Sequence, residues 1–263
     1  MRHVLFSIAL SLVALPSWAA QCGNRSAGFD AWKASFAQSA QRAGVGQRGL
    51  QALANAQYAT GTIAADRNQK SFRYSLDKFI EIRGATTIVR QGRERKARDA
   101  AFYTALEQRF GVPAGVIIAI HGMETGFGRF MGDSSVVSAI VTLAFDCRRS
   151  EFFIPHALGA LRLVDQGSIT AATKGAKHGE LGHTQFLPGN AITYGVDANG
   201  DGRVDFYNQA DALASTANYL RQKGWRPGQP YNKGTHNYEV LKTWNAASVY
   251  QESLSIMGAQ IDG

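Results

Sequence analysis

Residues 114–132, AGVIIAIHGMETGFGRFMG, decide the fold. The first half of this stretch is an apolar run long enough for a buried helix, and Pro113 precedes it, where helices commonly begin. Glu124 is the only carboxylate in the stretch, and glycines follow it at 126 and 128. A carboxylate at the end of a buried helix costs free energy unless it is paired or has a chemical role. The stretch therefore predicts a buried helix and marks Glu124 as a candidate functional residue.

Most of the remaining chain also has the periodicity of helices. Phe29, Trp32 and Phe36 fall on one face of a helix predicted within residues 28–44. A last helix is predicted over residues 238–257, with a break near Asn245. The other predicted helices cover residues 86–110, 134–145, 150–166 and 209–223. Strand signals are short and weak, so the prediction is a mainly α protein with a small irregular subdomain at about residues 168–208.

The N-terminus differs from the rest of the chain. Arg2 and His3 precede the apolar stretch VLFSIALSLVAL, which is too short to span a bilayer, and small residues follow it. This pattern predicts a signal peptide over residues 1–19, cleaved after Ala19, and a single mature domain over residues 20–263. An N-terminal membrane anchor is the alternative. Gln21 stands where a lipoprotein signal has a small residue, so lipidation is not expected.

Cys22 and Cys147 are the only cysteines, and both lie beyond the predicted cleavage site. Exported proteins fold in oxidising compartments, where two cysteines most simply form one disulfide. We therefore predict a disulfide that joins the mature N-terminus to the middle of the chain. Two free buried thiols are the alternative.

The chain is basic, with a formal charge of +8, and part of this charge is concentrated in RQGRERKAR at residues 90–98. A basic chain is typical of nucleic-acid binding, but export argues against that class of partner. The cluster contains Glu94 and has a helical pattern, which favours a solvated helix face. An anionic envelope polymer or a membrane surface is a more suitable partner for an exported basic protein.

DANGDGRVDFYN, residues 197–208, matches the first half of a calcium-binding EF-hand loop. The twelfth position holds an amide where the full motif has a bidentate Glu, so the predicted calcium site is weaker. An Asp- and Gly-rich turn that binds no ion is the alternative. The predicted ligand positions are Asp197, Asn199, Asp201, Arg203, Asp205 and Asn208.

HGELGHTQFLPGN, residues 178–190, contains two histidines but does not match a zinc site. His178 and His183 are five residues apart, whereas zinc proteases place two histidines four apart on one helical face. Polar contacts to a ligand fit this loop better, with Gln185 as both donor and acceptor.

Glu124 has the properties expected of a general acid. A half-buried Glu has a raised pKa, which keeps a proton available for a glycosidic oxygen. No second carboxylate occupies a position typical of a glycosidase pair, and Glu180 is the only nearby candidate. A surface carboxylate at a helix end, with no catalytic role, is the alternative.

Five segments in order, spanning about residues 119–250, resemble the lytic murein transglycosylases of the membrane-bound lytic transglycosylase B type. The segments are AIHGMETGFGRFMG, TLAFDCRRSEFF, GELGHTQFLPGNAITYGVDANGDGRVDF, DALASTANYLRQKGW and TWNAASVY. The resemblance implies a lysozyme-like, SLT-type α fold with an EF-hand-like loop. It also implies cleavage of the β-1,4 bond between N-acetylmuramic acid and N-acetylglucosamine by one catalytic acid, Glu124, to give a 1,6-anhydro product.

The same resemblance implies that the partner is peptidoglycan and that no cofactor is required, with Ca²⁺ as a structural ion only. The predicted signal peptide and the missing lipid signal lead us to expect a periplasmic monomer without a transmembrane segment in its mature chain. Three departures from the family pattern concern recognition, since Ala176 replaces a serine, Glu180 a common alanine and Trp244 a common tyrosine. A hydrolysing muramidase and a non-catalytic peptidoglycan-binding protein remain the alternatives. The implied substrate-binding residues are Gln185, Tyr219, Asn245 and Tyr250.

Overall fold

Thirteen α-helices make up most of residues 21–68 and 74–263, the residues that the computed structural model describes. The predicted mainly α fold is confirmed, while the predicted signal peptide lies outside the described residues. The strands β1 (Ser134–Ser135) and β2 (Lys174–Gly175) form one antiparallel pair. The helices are α1 (Phe29–Arg42), α2 (Gln47–Asn55), α3 (Thr60–Arg67), α4 (Leu76–Ile82), α5 (Ala85–Arg98), α6 (Ala100–Phe110), α7 (Ala114–Thr125), α8 (Val136–Phe145), α9 (Ser150–Gln166), α10 (Pro188–Tyr194), α11 (Gln209–Gln222), α12 (His236–Trp244) and α13 (Ser248–Asp262).

The helix α7 lies at the centre of the core, as its apolar sequence predicts. Every residue of α7 except Glu124 is buried. A helix that is apolar on all sides is stable only when other elements enclose it, and here α13 and α5 pack against it. Gly115 permits the closest approach, because a Cβ at this position would lie 2.2 Å from the carbonyl oxygen of Gly258 in α13. The core therefore fixes the position of Glu124.

The helix predicted over residues 86–110 is wrong as a single element. It is two helices, α5 and α6, that meet at Asp99, where φ is −109° and ψ is 33°. Asp is a weak helix former, and the Asp99 carboxylate accepts a hydrogen bond from Arg98 Nε at 3.0 Å. The break predicted near Asn245 is present between α12 and α13, with a φ of −145° at Asn245.

A disulfide joins Cys22 to Cys147, so this prediction is confirmed and the alternative of two free thiols is excluded. The bond ties the N-terminal segment to the turn between α8 and α9. Two backbone hydrogen bonds accompany it, from Gly23 N to Phe145 O at 3.0 Å and from Cys147 N to Gly23 O at 3.2 Å. The N-terminal segment is therefore fixed to the core before α1 begins.

Residues 168–208, predicted to be irregular, contain little regular structure apart from β2 and α10. A 3-10 turn at Gly182–Thr184 leads into Gln185, whose φ of 54° places it in the left-handed region. Leu181 and Phe186 pair across this turn as an isolated β-bridge. Within the described ranges, no helix combines the length and apolar character needed to cross a membrane.

Candidate active site

Glu124 lies in the last turn of α7, where three elements meet. Its Oε1 atom accepts a hydrogen bond from Trp244 Nε1 at 3.1 Å and another from the Tyr250 hydroxyl. Trp244 is the last residue of α12, and Tyr250 lies in the first turn of α13. Gly126 ends α7 with a φ of 57°, which turns the chain away and leaves the carboxylate accessible. These two hydrogen-bond donors, one from α12 and one from α13, fix the position of the Glu124 carboxylate.

The surroundings of Glu124 raise its pKa to about 6, and burial is the largest cause. The hydrogen bonds from Tyr250 and Trp244 act in the opposite direction, because they stabilise the carboxylate. The negative charge of Glu180 raises this pKa and the positive charge of Arg83 lowers it. A carboxyl group with this pKa can both give up and take back a proton in mildly acidic solution.

A cavity of about 190 Å³ opens beside Glu124. Its wall combines aromatic rings with amide and carboxylate groups, which is the composition that sugar rings and their hydroxyls require. Segments from α7, from residues 180–190, from α11 and from the α12–α13 connection contribute to the wall. The lining residues are Glu124, Glu180, Gln185, Phe186, Leu187, Asn190, Tyr219, Trp244 and Asn245.

Gln185 is held rigidly at the edge of this cavity. Its Nε2 atom donates to the carbonyl oxygen of Gly182 at 2.7 Å and to that of Met131 at 3.4 Å. Gly182 lies so close to Phe206 that an added Cβ would be 1.9 Å from the Phe206 carbonyl oxygen. The tight turn and the two hydrogen bonds fix the Gln185 carboxamide before any ligand arrives.

The other predicted substrate-binding residues have different positions. Tyr219 and Asn245 line the cavity, but the Tyr219 hydroxyl donates to the carbonyl oxygen of Thr243. The Tyr219 ring packs edge-on against Trp244, with centroids 5.4 Å apart. Tyr250 is only 2 % exposed and does not line the cavity, and its hydroxyl donates a hydrogen bond to Glu124. The structure therefore brings Glu124, Gln185, Tyr219 and Asn245 around one cavity, while Tyr250 supports the acid.

Sequence reasoning did not assign a role to Trp244 or Asn190, although both line the cavity. Trp244 also donates directly to Glu124. The signals available were the position of Trp244 next to Asn245 and its replacement of a common tyrosine, but an aromatic at a helix end is more often a core residue. The side chains of Trp244 and Glu124 are 120 residues apart in sequence and meet only through tertiary packing.

The two histidines of residues 178–190 bond to different partners. His183 Nδ1 lies 3.0 Å from Nε2 of the buried His121, and burial lowers the pKa of His121 to about 3. His178 Nδ1 lies 3.4 Å from Glu180 Oε1. The first pair therefore packs as neutral rings, and in the second pair His178 holds Glu180, which lines the cavity.

The predicted calcium loop is organised by its own backbone. The Asp197 carboxylate accepts from Gly200 N at 2.7 Å and from Gly202 N at 2.8 Å. Asn208 caps α11 by accepting from Ala210 N at 2.9 Å, so its side chain already has a structural partner. Among the described residues, no group of three or more His, Cys, Asp or Glu side chains is arranged to hold a metal ion.

Sequence reasoning missed Asp211, which lies beyond the twelve-residue pattern. Its carboxylate is fully buried and faces the loop from α11. It accepts hydrogen bonds from Ala198 N and Asp205 N, both at 2.9 Å, and from Asn199 N at 3.3 Å. Asp211 therefore joins the two halves of the loop.

The chain matches a known protein family and a curated relative. The profile of the family described as Transglycosylase SLT domain matches residues 28–235. The membrane-bound lytic murein transglycosylase B of Escherichia coli K12 is 37 % identical over 123 residues, which are 46 % of this chain and 34 % of that protein. The match thus spans about a third of the length of that relative.

Two solved structures have the same fold. SltB3 of Pseudomonas aeruginosa, in complex with NAG-anhNAM-pentapeptide, has a TM-score of 0.81 and 28 % identity over 89 % of this chain and 80 % of that one. The Escherichia coli lytic transglycosylase Slt35, in complex with calcium, has a TM-score of 0.75 and 21 % identity over 92 % and 96 % of the two chains.

These matches confirm both the resemblance that the sequence motifs indicated and the lysozyme-like fold that it implied. The range matched by the family profile includes α7 with Glu124, the loop of Gln185 and the segment of Asp211. The structural likeness to SltB3 covers 89 % of this chain. The chain belongs to the Transglycosylase SLT domain family.

Proposed function

We propose that the protein is a lytic murein transglycosylase. It cleaves the β-1,4 bond between N-acetylmuramic acid and N-acetylglucosamine in peptidoglycan and leaves a 1,6-anhydro end. The observation that carries this proposal is Glu124, a carboxyl group with a pKa of about 6 that opens into a cavity walled by aromatic and amide groups. The complex of the related SltB3 with NAG-anhNAM-pentapeptide supports the same substrate class.

The first step uses the protonated form of Glu124. Its carboxyl group donates a proton to the glycosidic oxygen as the bond from that oxygen to C1 of the muramoyl residue breaks. The N-acetylglucosamine side leaves as an alcohol, and positive charge develops at C1. Burial favours the protonated acid before this step, since the charged form is poorly solvated in the site.

The second step uses the carboxylate that the first step creates. It takes the proton of the muramoyl C6 hydroxyl, whose oxygen bonds to C1 and closes the anhydro ring. The hydrogen bonds from Tyr250 and Trp244 stabilise the carboxylate between the two proton transfers. Glu124 is protonated again at the end, and no water is consumed.

Product analysis tests this proposal. Purified sacculi are digested, and the muropeptides are examined by mass spectrometry before and after borohydride reduction. We expect non-reducing anhydro ends, which lack one water and do not take up hydrogen. Reducing ends alone would identify a hydrolysing muramidase, and binding to sacculi without any released product would identify a peptidoglycan-binding protein.

The pH dependence of kcat/KM follows from the raised pKa of Glu124. The free enzyme must carry the proton, so kcat/KM should be constant below pH 6 and fall as pH rises above about 6. Tyr250→Phe removes a donor that stabilises the carboxylate, so the pKa should rise and the descending limb should move up by about one pH unit. We expect no shift for Tyr231→Phe, whose hydroxyl bonds to Asp262. A limb that stays in place in Tyr250→Phe would contradict this role.

We also propose that the protein acts in the periplasm as a monomer. The apolar pattern of residues 1–19 is typical of an export signal, and peptidoglycan is found outside the inner membrane. The disulfide between Cys22 and Cys147 suits an oxidising compartment. Fractionation of cells that produce the tagged chain, combined with Edman sequencing of the mature protein, tests the location and the cleavage after Ala19.

We further propose that residues 197–211 take up a structural Ca²⁺. Their side chains offer oxygen donors, which calcium prefers, and the relative Slt35 has been solved with calcium. The Asp197 carboxylate accepts two backbone N–H bonds and keeps further lone pairs for an ion. Calcium at a hundred times its Kd should stabilise the fold by about 2.7 kcal/mol.

Thermal unfolding with calcium, with magnesium and with a chelator tests the calcium site. We expect calcium alone to raise Tm, and we expect Asp201→Asn to remove the effect. Asp77→Asn, an exposed change in the first turn of α4, is the control and should respond like the wild type. Equal Tm values in calcium and chelator for the wild type would show that the loop binds no calcium.

A further inference from the structure

A second carboxylate, Glu180, lines the same cavity as Glu124. It lies on the turn that follows β2, and its backbone is tightly constrained there. A Cβ at Gly175 would be 2.2 Å from the carbonyl oxygen of Glu180, which also accepts from Ala176 N at 3.1 Å. The position of Glu180 is therefore determined by the fold.

The Glu180 carboxylate is held by one residue, His178. The backbone N–H of His178 donates to Oε2 at 3.1 Å, and the His178 ring places Nδ1 3.4 Å from Oε1. The side chains of His178 and Glu180 are only 19 % and 21 % exposed. Within the described residues, no Lys or Arg forms an ion pair with Glu180. The group is thus oriented, but no permanent positive charge neutralises it.

Glu124 and Glu180 also interact electrostatically. The negative charge of Glu180 contributes to the raised pKa of Glu124. This repulsion between like charges adds to the burial that favours the protonated form of Glu124. Glu124 is thus suited to hold the proton, and Glu180 places a second carboxyl group at the wall of the same cavity.

We propose that Glu180 is a second catalytic carboxylate, which activates a water molecule so that part of the product leaves with hydrolysed ends. This inference rests on the proposed transglycosylase function and adds a second outcome to it. Glu124 still protonates the leaving glycosidic oxygen, and the bond from C1 to that oxygen breaks. The water oxygen bonds to C1, and the water proton goes to Glu180. The product is a free reducing end, and both carboxyl groups then regain their starting states by proton exchange with solvent.

The two outcomes compete for the same C1 atom. The C6 hydroxyl reaches C1 from within the muramoyl residue and needs only Glu124 as base. Water has to be positioned and deprotonated by a separate group, and the carboxylate held by His178 offers this function. Removal of the Glu180 charge should therefore reduce the hydrolytic share of the product, which a purely structural role for Glu180 would not change.

The experiment measures the ratio of hydrolysed to anhydro ends. Purified sacculi are digested in H₂¹⁸O by the wild type, Glu180→Gln and Glu180→Ala, and labelled reducing ends are compared with anhydro ends by mass spectrometry. Because general-base catalysis contributes about 10² to 10⁴-fold, we expect the hydrolytic share to fall at least about tenfold in both variants. Glu151→Gln, an exposed change on α9, is the matched control and should give the wild-type ratio.

The ratio is independent of total activity, so partial loss of folding does not affect it. Gln also keeps the size of Glu180 and an oxygen that can accept from His178 N. A wild type that forms only anhydro ends, or a ratio that is the same in all three proteins, overturns the proposal. A wild type that forms only labelled reducing ends, lost in Glu180→Gln, supports Glu180 but overturns the transglycosylase function. A wild type that releases no product overturns both.

Discussion

Glu124→Gln is expected to lower the rate of glycosidic cleavage about 10⁴-fold, the upper range for loss of a general acid. The expected loss is large because one carboxyl group performs both proton transfers. Gln has nearly the same shape, and its oxygen can still accept hydrogen bonds from Trp244 and Tyr250. It has no proton to donate to a glycosidic oxygen and cannot take one from the C6 hydroxyl.

Turnover of sacculi or of a defined tetrasaccharide measures this loss, and binding to sacculi by cosedimentation measures substrate affinity. We expect affinity to change little, since Gln185 and Asn245 still line the cavity. Glu94→Gln is the control, because Glu94 is 62 % exposed and pairs with Arg90 on α5. Activity of Glu124→Gln within about tenfold of the wild type would assign the acid to another residue.

The same variant should change the stability of the fold with pH. The pKa of Glu124 rises from 4.5 to about 6 on folding, so the folded state binds the proton more tightly. Stability is therefore lost as pH rises from about 4.5 to 6, and the loss reaches about 2 kcal/mol by pH 7. Glu124→Gln carries no such penalty. We expect its Tm to exceed that of the wild type at pH 7.5 by more than at pH 4.

Removal of the disulfide is expected to give the largest loss of stability. Cys22 and Cys147 are 125 residues apart, and a cross-link over so long a loop removes much of the entropy of the unfolded chain. We expect Cys22→Ser combined with Cys147→Ser to lower the free energy of unfolding by about 4 kcal/mol. Urea unfolding under oxidising conditions measures this difference.

Chemical reduction provides the matched control for the disulfide prediction. The wild type with a reducing agent should unfold at the same urea concentration as the double variant, and the double variant should not respond to the reducing agent. A difference below about 1 kcal/mol would show that the N-terminal segment is held by packing alone. The hydrogen bonds of Gly23 with Phe145 and Cys147 would then be sufficient to hold it.

The buried helix and its acid could be predicted from the sequence because both depend on local pattern. An apolar run that ends in Glu124 and glycines has few other stable arrangements. The break at Asp99 was not predicted, because a single weak helix former between two helical runs, without a Gly or Pro, is a faint signal. The disulfide was predictable because only two cysteines are present.

The cavity was predictable only in part. Gln185 and Asn245 were identified through the family resemblance and line the cavity, whereas Tyr250 supports Glu124 from behind. Glu180 stood out as a departure from the family pattern, but its bonds with His178 depend on a turn that only the structure shows. Asp211 was missed because the motif ends before it.

The complete enclosure of α7 has a consequence for directed evolution. Since every residue of this helix except Glu124 is buried, most substitutions there leave a cavity or overfill the core, and a randomised library at α7 should contain few soluble variants. Leu187, Asn190 and Asn245 line the cavity, are partly accessible and do not contact Glu124, so libraries at these positions should retain the chemistry while substrate preference diverges. We therefore expect new substrate preferences to arise by substitution in the cavity wall while Glu124 stays unchanged.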